Sequence, residues 1–222
     1  MIAKTLKKEW YVLLLLLIPF IASIYFWDQL PDQVPTHFNI HGEADDWGPK
    51  WVNAFLLPAI GVFVYLLLII VPAIDPKTKI KNEQKPVAAI RILTSVFMIF
   101  IYVFVMSASL GYEVDISLYI QMGLGALIML IGNYMNSVKQ NYFIGVKTPW
   151  TLENEEVWRK THRFTSKVWT VSGLIMILVP LIIQRGDFEA GMLVGIVAAI
   201  SIMPVLYSYV IFQKINREGN HV

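Results

Sequence analysis

The chain has 222 residues, of which 56% are hydrophobic and 15% charged, with a formal net charge of +2 and a mean hydropathy of +0.58. Soluble domains run at roughly 45–50% apolar and about 25% charged, so a water-soluble globular protein is close to excluded. There is no cysteine, which removes disulfides, thiolate nucleophiles, CxxC redox pairs and Cys-ligated zinc from consideration.

Six stretches are apolar over the length that crosses a bilayer as a helix: 10–27, 52–74, 87–110, 116–138, 168–184 and 190–212. The predicted fold is therefore an all-α integral membrane protein with six transmembrane helices. The first stretch follows Lys4, Lys7 and Lys8. Cleavage after Ala22 would place bulky Phe20 where a small residue is needed, so a retained signal anchor is the better reading.

The loop 28–51 comes next. Pro31, Pro35, Gly42, Gly48 and Pro49 forbid a continuous helix, while 34–40 reads as a short extended segment ending at a His41-Gly42 turn, within an ordered, compact cap. His37 and His41 with Glu43, Asp45 and Asp46 are ligand types suited to a divalent metal, and a helix would bring both histidines to one face. The prolines argue against that helix, and Phe38 stands where H-E-x-x-H hydrolases carry glutamate. Hydrogen-bonded turn histidines are favoured first, a pH-sensitive or ligand-contacting role second and a metal last, so no metal or cofactor is assigned. Glu43, Asp45 and Asp46 are solvated surface or, functionally, attraction for a cationic partner. The candidate ligand-binding set is His37, His41, Gly42, Glu43, Asp45, Asp46, Trp47 and Lys50.

No ionisable group stands at the middle of a span, which argues against an ion-coupled transporter or a proton pump. Arg91, one turn inside the third stretch, reads as snorkelling to headgroups. Ser95, Gln121 and Asn133 read as packing contacts, Pro19, Pro58, Pro72, Pro180 and Pro204 as kinks, and Gly123, Gly125 and Gly132 as small-residue spacing for close helix approach.

In the loop 139–167, Gly145 and Pro149 suggest a fixed turn that leaves Lys147 to meet a phosphate or carboxylate. Thr151 reads as an N-cap, with Glu153, Glu155 and Glu156 in the first turn and Arg159, Lys160 and Arg163 beyond, complementing the helix dipole. A short cytoplasmic interfacial helix is predicted over 152–165, with Trp158 and His162 sharing one face.

Orientation follows from the cations. Sixteen of the 18 Lys and Arg residues fall on the side of the termini, all but Lys50 and Arg185. With seven acids there and nine on the other side, the two faces carry about +9 and −7, which predicts cytoplasmic termini. All seven tryptophans fall near span ends or in the two long loops, where an amphipathic ring prefers the headgroup level.

The segment Asn141-x-Phe143-x-Gly145-x-Lys147-Thr148-Pro149-Trp150-Thr151-Leu152, followed by Trp158 and His162-Arg163, resembles the C-terminal signature of the SdpI family, bacterial immunity proteins against secreted antimicrobial peptide toxins. Leu30-Pro31-x-x-Val34-Pro35-x-His37, with Gly42, Asp45, Trp47 and Lys50, is similar to the small N-terminal domain of unassigned function often joined to it. Lys147 replaces the arginine common in the family, a point charge in place of a planar fork. The resemblance implies a non-enzymatic, multi-pass protein of the bacterial cell membrane, with membrane lipids, a secreted toxin peptide and a cytoplasmic repressor protein as partners and no direct nucleic-acid contact. It divides the chain into a two-span unit, 1–86, and a four-span unit, 87–222. The residues themselves leave two alternatives standing: a small transporter or exporter of a peptide or lipid, and a membrane metallohydrolase built on His37 and His41.

Overall fold

A computed structural model describes residues 2–39, 42–74, 85–183 and 187–219. Among these, six helices are long and apolar enough to cross a membrane: Trp10–Gln29, Val52–Ala73, Lys85–Ser109, Ile116–Met135, Glu155–Ile182 and Gly191–Glu218. The chain is a six-span integral membrane protein.

In chain order, α1 (Ile2–Lys8) is a two-turn helix that breaks at Glu9 before α2 (Trp10–Phe26), the first span. A hairpin of β1 (Gln33–Phe38) and β2 (Ala44–Pro49) follows, then a wide π-helical turn, Val52–Leu56, that runs into α3 (Leu57–Ala73). The third and fourth spans are α4 (Lys85–Ser109) and α5 (Ile116–Met135). A short helix α6 (Pro149–Glu153) precedes α7 (Glu155–Ile182) and α8 (Asp187–Gly219), which carry the last two spans.

The spans turn large apolar side chains outward, and their interior mixes apolar clusters with small and polar side chains. Ile18, Ile21, Phe63, Leu181 and Val194 are exposed, while Ser23, Asn53, Ser95, Thr165 and Ser208 are buried. Lipid tails are as apolar as leucine, so association inside a bilayer relies on close packing and interhelical hydrogen bonds. Both devices are present. The Ser23 hydroxyl of α2 donates to the Ala54 carbonyl and meets the Tyr102 hydroxyl of α4 at 2.9 Å. Asn53 Nδ2 donates to Ser109 Oγ at the end of α4 at 2.9 Å.

Close packing is greatest where α5 crosses α7. A Cβ on Gly173 would fall 2.4 Å from the Gly125 carbonyl oxygen, and one on Gly125 would fall 2.8 Å from the Gly173 carbonyl oxygen. Gly132 lies against the backbone of Thr170, whereas Gly123 accommodates the Phe100 ring of α4.

Two expectations are revised. The loop 28–51 contains an antiparallel β-hairpin rather than a single extended segment, so the fold is helical with a small β cap. The helix expected over 152–165 is divided: Thr148 caps α6 by accepting from the Thr151 N–H, and Asn154 caps α7 by accepting from the N–H groups of Glu156 and Val157. Thr151 therefore lies inside α6, and residues 155–165 continue without a break into the fifth span. The sequence shows helix propensity on both sides of Asn154, and only the short Asn side chain there restarts the ladder.

Candidate functional site

The hairpin stands where the C-terminal end of α2, the start of the second span, the end of α4 and the start of α5 come together. Pairing runs Gln33 with Pro49, Val34 with Gly48, Pro35 with Trp47, His37 with Asp46 and Phe38 with Ala44, with register irregularities between Pro35 and His37 and between His37 and Phe38. Its inner strand is held by the bundle. Val34 is buried with Leu30, Ala54, Tyr102 and Met106, and Asn53 Nδ2 donates to the Pro35 carbonyl at 2.8 Å. At the tip, Gly42 adopts φ +83° and Asn39 closes the turn, accepting from the Glu43 N–H and donating to the Glu43 carboxylate, both at 3.0 Å. Ser117 Oγ donates to the Asn39 carbonyl at 3.4 Å, tying the tip to α5.

The predicted binding residues divide into two kinds. Lys50 is a clasp: its ammonium lies 4.8 Å from the centre of the Trp27 ring, donates to the Leu30 carbonyl and meets Asp32 at 3.4 Å. His37, Glu43, Asp45, Asp46 and Trp47 remain exposed. His37 Nδ1 lies 2.5 Å from Asp45 Oδ1, so the histidine belongs to a strand and pairs with a carboxylate. The helical face that would have united His37 with His41 is not formed, because Pro35 and the hairpin register hold His37 extended. His41 itself lies outside the described residues. Among the described residues no three His, Cys, Asp or Glu side chains converge as metal ligands.

The second predicted set, Asn141 to Arg163, lies at the far end of α5, about 30 Å away along a 20-residue helix. Here Asn141, Thr148, Thr151, Trp158 and His162 form a buried knot. Asn141 Oδ1 accepts from the N–H groups of Phe143 and Ile144, while Nδ2 donates to the carbonyls of Lys139 and Ile144. One side chain thus satisfies a turn that has no regular structure. Gly145 follows at φ +118°, and a Cβ there would stand 2.2 Å from His162 Nε2. The Val146 N–H donates to that Nε2 at 3.2 Å, and Nδ1 meets the Trp158 carbonyl at 2.9 Å. A carbonyl only accepts, so Nδ1 holds the proton and the ring is neutral. His162 is fully buried and stacked on Trp158 at 3.9 Å between ring centres, whose Nε1 donates to the Val138 carbonyl at 2.8 Å.

Thr148 and Thr151 close a reciprocal cap on α6, and Trp150 Nε1 donates to Ser208 Oγ of α8 at 2.6 Å. Lys147 and Arg163 are exposed, with Lys147 Nζ reaching the Phe143 carbonyl at 3.2 Å. Phe143 and Pro149 complete the motif, half-buried and exposed. Sequence reasoning did not single out Gln140, which donates to the carbonyls of Thr151 and Leu152 at the end of α6, or Ser208.

A third cluster corrects the reading of Arg91. It is 3% exposed and does not reach outward. Its Nε donates to Glu9 Oε2 at 2.9 Å and its terminal nitrogen to Oε1 at 2.5 Å, a two-point fork. Tyr65 Oη donates to the same carboxylate at 3.2 Å. Three spans meet at this buried pair. An arginine one turn inside an apolar stretch is itself a signal that an acid lies nearby, and Glu9 is one of the seven acids on the side of the termini.

Residues 137–208 match the SdpI/YfhL protein family, and residues 14–62 match a domain of unknown function (DUF1648). The first match covers the knot together with α7 and most of α8, and the second covers the hairpin with most of the first span and the first half of the second. Over 214 residues the chain is 29% identical to "Immunity protein SdpI" of Bacillus subtilis (strain 168), covering 95% of this chain and 99% of that protein. No solved structure matches.

Proposed function

We propose that this SdpI-family membrane protein confers immunity to a secreted antimicrobial peptide, acting without catalysis. The observation that carries the reading is the end-to-end similarity to an immunity protein, 95% of one chain against 99% of the other. In this reading the termini and the Asn141–Arg163 knot face the cytoplasm of a bacterial cell, since that face holds most of the cations. The hairpin then faces outward. Its exposed acids Glu43, Asp45 and Asp46, beside the exposed Trp47, suit a cationic, amphipathic peptide arriving from outside.

In this reading the knot acts as a structural element. Its polar groups are spent on one another, so it serves as a rigid joint between α5, α7 and α8. Lys147 is left at its surface to hold a cytoplasmic repressor protein. The test is survival: a peptide-sensitive Gram-positive strain producing this chain is expected to tolerate peptide that kills the same strain carrying an empty vector. Equal killing, with the chain confirmed in the membrane, would refute immunity.

A further inference from the structure

We propose that one face of α7, formed by Arg159, Arg163 and Lys167, binds the headgroups of anionic phospholipids. These residues stand four apart, so successive side chains are offset by only about 40° around the helix and share one face. All three are exposed. Continued along α7, the same face presents Val171, Leu174, Leu178 and Leu181, also exposed. The opposite face, with Thr161, His162, Thr165 and Met176, is buried.

A cationic stripe that passes directly into an apolar one fits an amphiphile. Phosphates would meet the guanidinium and ammonium groups, and acyl chains would lie along the leucines. A soluble acidic protein would have no use for the apolar continuation. Length agrees: α7 has 28 residues, about 42 Å, and a hydrocarbon core takes about 30 Å. The last 20 residues of α7, 163–182, take up that core, so about the first 12 Å, from Glu155 to Arg163, lies at headgroup level, and Lys167, about one turn further in, reaches back to it along its flexible stem. Glu155 and Glu156 open α7, and Glu156 is held by Lys160 at 2.8 Å; against these two acids stand Arg159, Lys160, Arg163 and Lys167, so positive charge remains in excess toward Arg163 and Lys167. The inference goes beyond immunity and stands whether or not the chain meets a toxin.

The full chain, purified in a neutral detergent, is offered dioleoyl phosphatidylglycerol or dioleoyl phosphatidylcholine, and retained lipid is counted by native mass spectrometry. Phosphatidylglycerol is expected to be preferred, with Arg159→Gln, Arg163→Gln and Lys167→Gln each reducing the preference about fivefold. A variant with Lys4, Lys7 and Lys8 all changed to Gln loses the same charge elsewhere and is expected to keep the preference. The single variants are read where a triple change at the α7 stripe lowers the unfolding temperature in phosphatidylcholine. The proposal is overturned if the α7 variants retain the full preference, or if the Lys4, Lys7 and Lys8 variant loses as much. It is equally overturned if the unaltered chain shows no preference, including the case where it binds soluble polyglutamate instead.

Discussion

Gly145 is constrained twice, by φ +118° and by the His162 ring. Gly111 is constrained once, at φ +85° with open space around its Cβ direction. Gly111→Ala is expected to cost about 1 kcal/mol from backbone strain alone. Gly145→Ala is expected to cost about 2–4 kcal/mol, as His162 must move and release the Val146 N–H; thermal unfolding in detergent separates the two. At the buried ion pair, Arg91→Ala or Glu9→Ala strands a charge and is expected to cost about 3–5 kcal/mol. The double change Glu9→Leu with Arg91→Met removes both charges and is expected to recover most of that loss. With the single changes Glu9→Leu and Arg91→Met added, a double-mutant cycle on unfolding free energy measures the coupling. Neither feature was visible one residue at a time: Gly145 announced a turn but not the imidazole behind it, and Arg91 announced a charge but not its partner.

At the scale of elements, hydropathy located all six spans because each is a continuous apolar run, and the bilayer demands that run irrespective of tertiary contacts. Strand β2, Ala44–Pro49, was missed for the opposite reason. It reads Ala-Asp-Asp-Trp-Gly-Pro, poor in β-branched residues, and is extended because β1 is anchored through Val34 and Asn53. The start of α7 was displaced because charge patterning on a helix does not reveal whether the helix ends before the membrane. The crossing of α5 and α7 was half foreseen: Gly125 and Gly132 stood out, Gly173 did not. Gly173→Leu is expected to force the two helices apart and lower the unfolding temperature by more than 5 °C. Gly191→Leu, in open surroundings, is expected to leave it within 1–2 °C, as a differential scan of both variants would show.

At the scale of the whole molecule, the two predicted sites stand at opposite ends of the bundle and differ in kind. The hairpin site leaves its acids and an indole exposed; the Asn141–Arg163 site consumes nearly all its polar groups internally. A motif carries no mark that distinguishes residues kept to build a joint from residues kept to touch a partner. The buried hydrogen bonds of Asn141, Thr151, Trp158 and His162 make that distinction. Spans one to three are tied by Glu9, Tyr65 and Arg91 at one end; at the other, Ser23 joins the first span to Ala54 and Tyr102, and Asn53 joins the second to Ser109 of the third.

The central claim is that a secreted peptide meets this protein at the hairpin. Because the chain has no cysteine, a single Asp46→Cys or Lys147→Cys substitution can carry a photo-crosslinker attached through a membrane-impermeant maleimide on intact cells. The account predicts that position 46 is labelled and forms a covalent adduct with peptide added outside, while position 147 is not labelled until the cells are permeabilised. Labelling at position 147 on intact cells, or no adduct at position 46 in cells the protein protects, would contradict it.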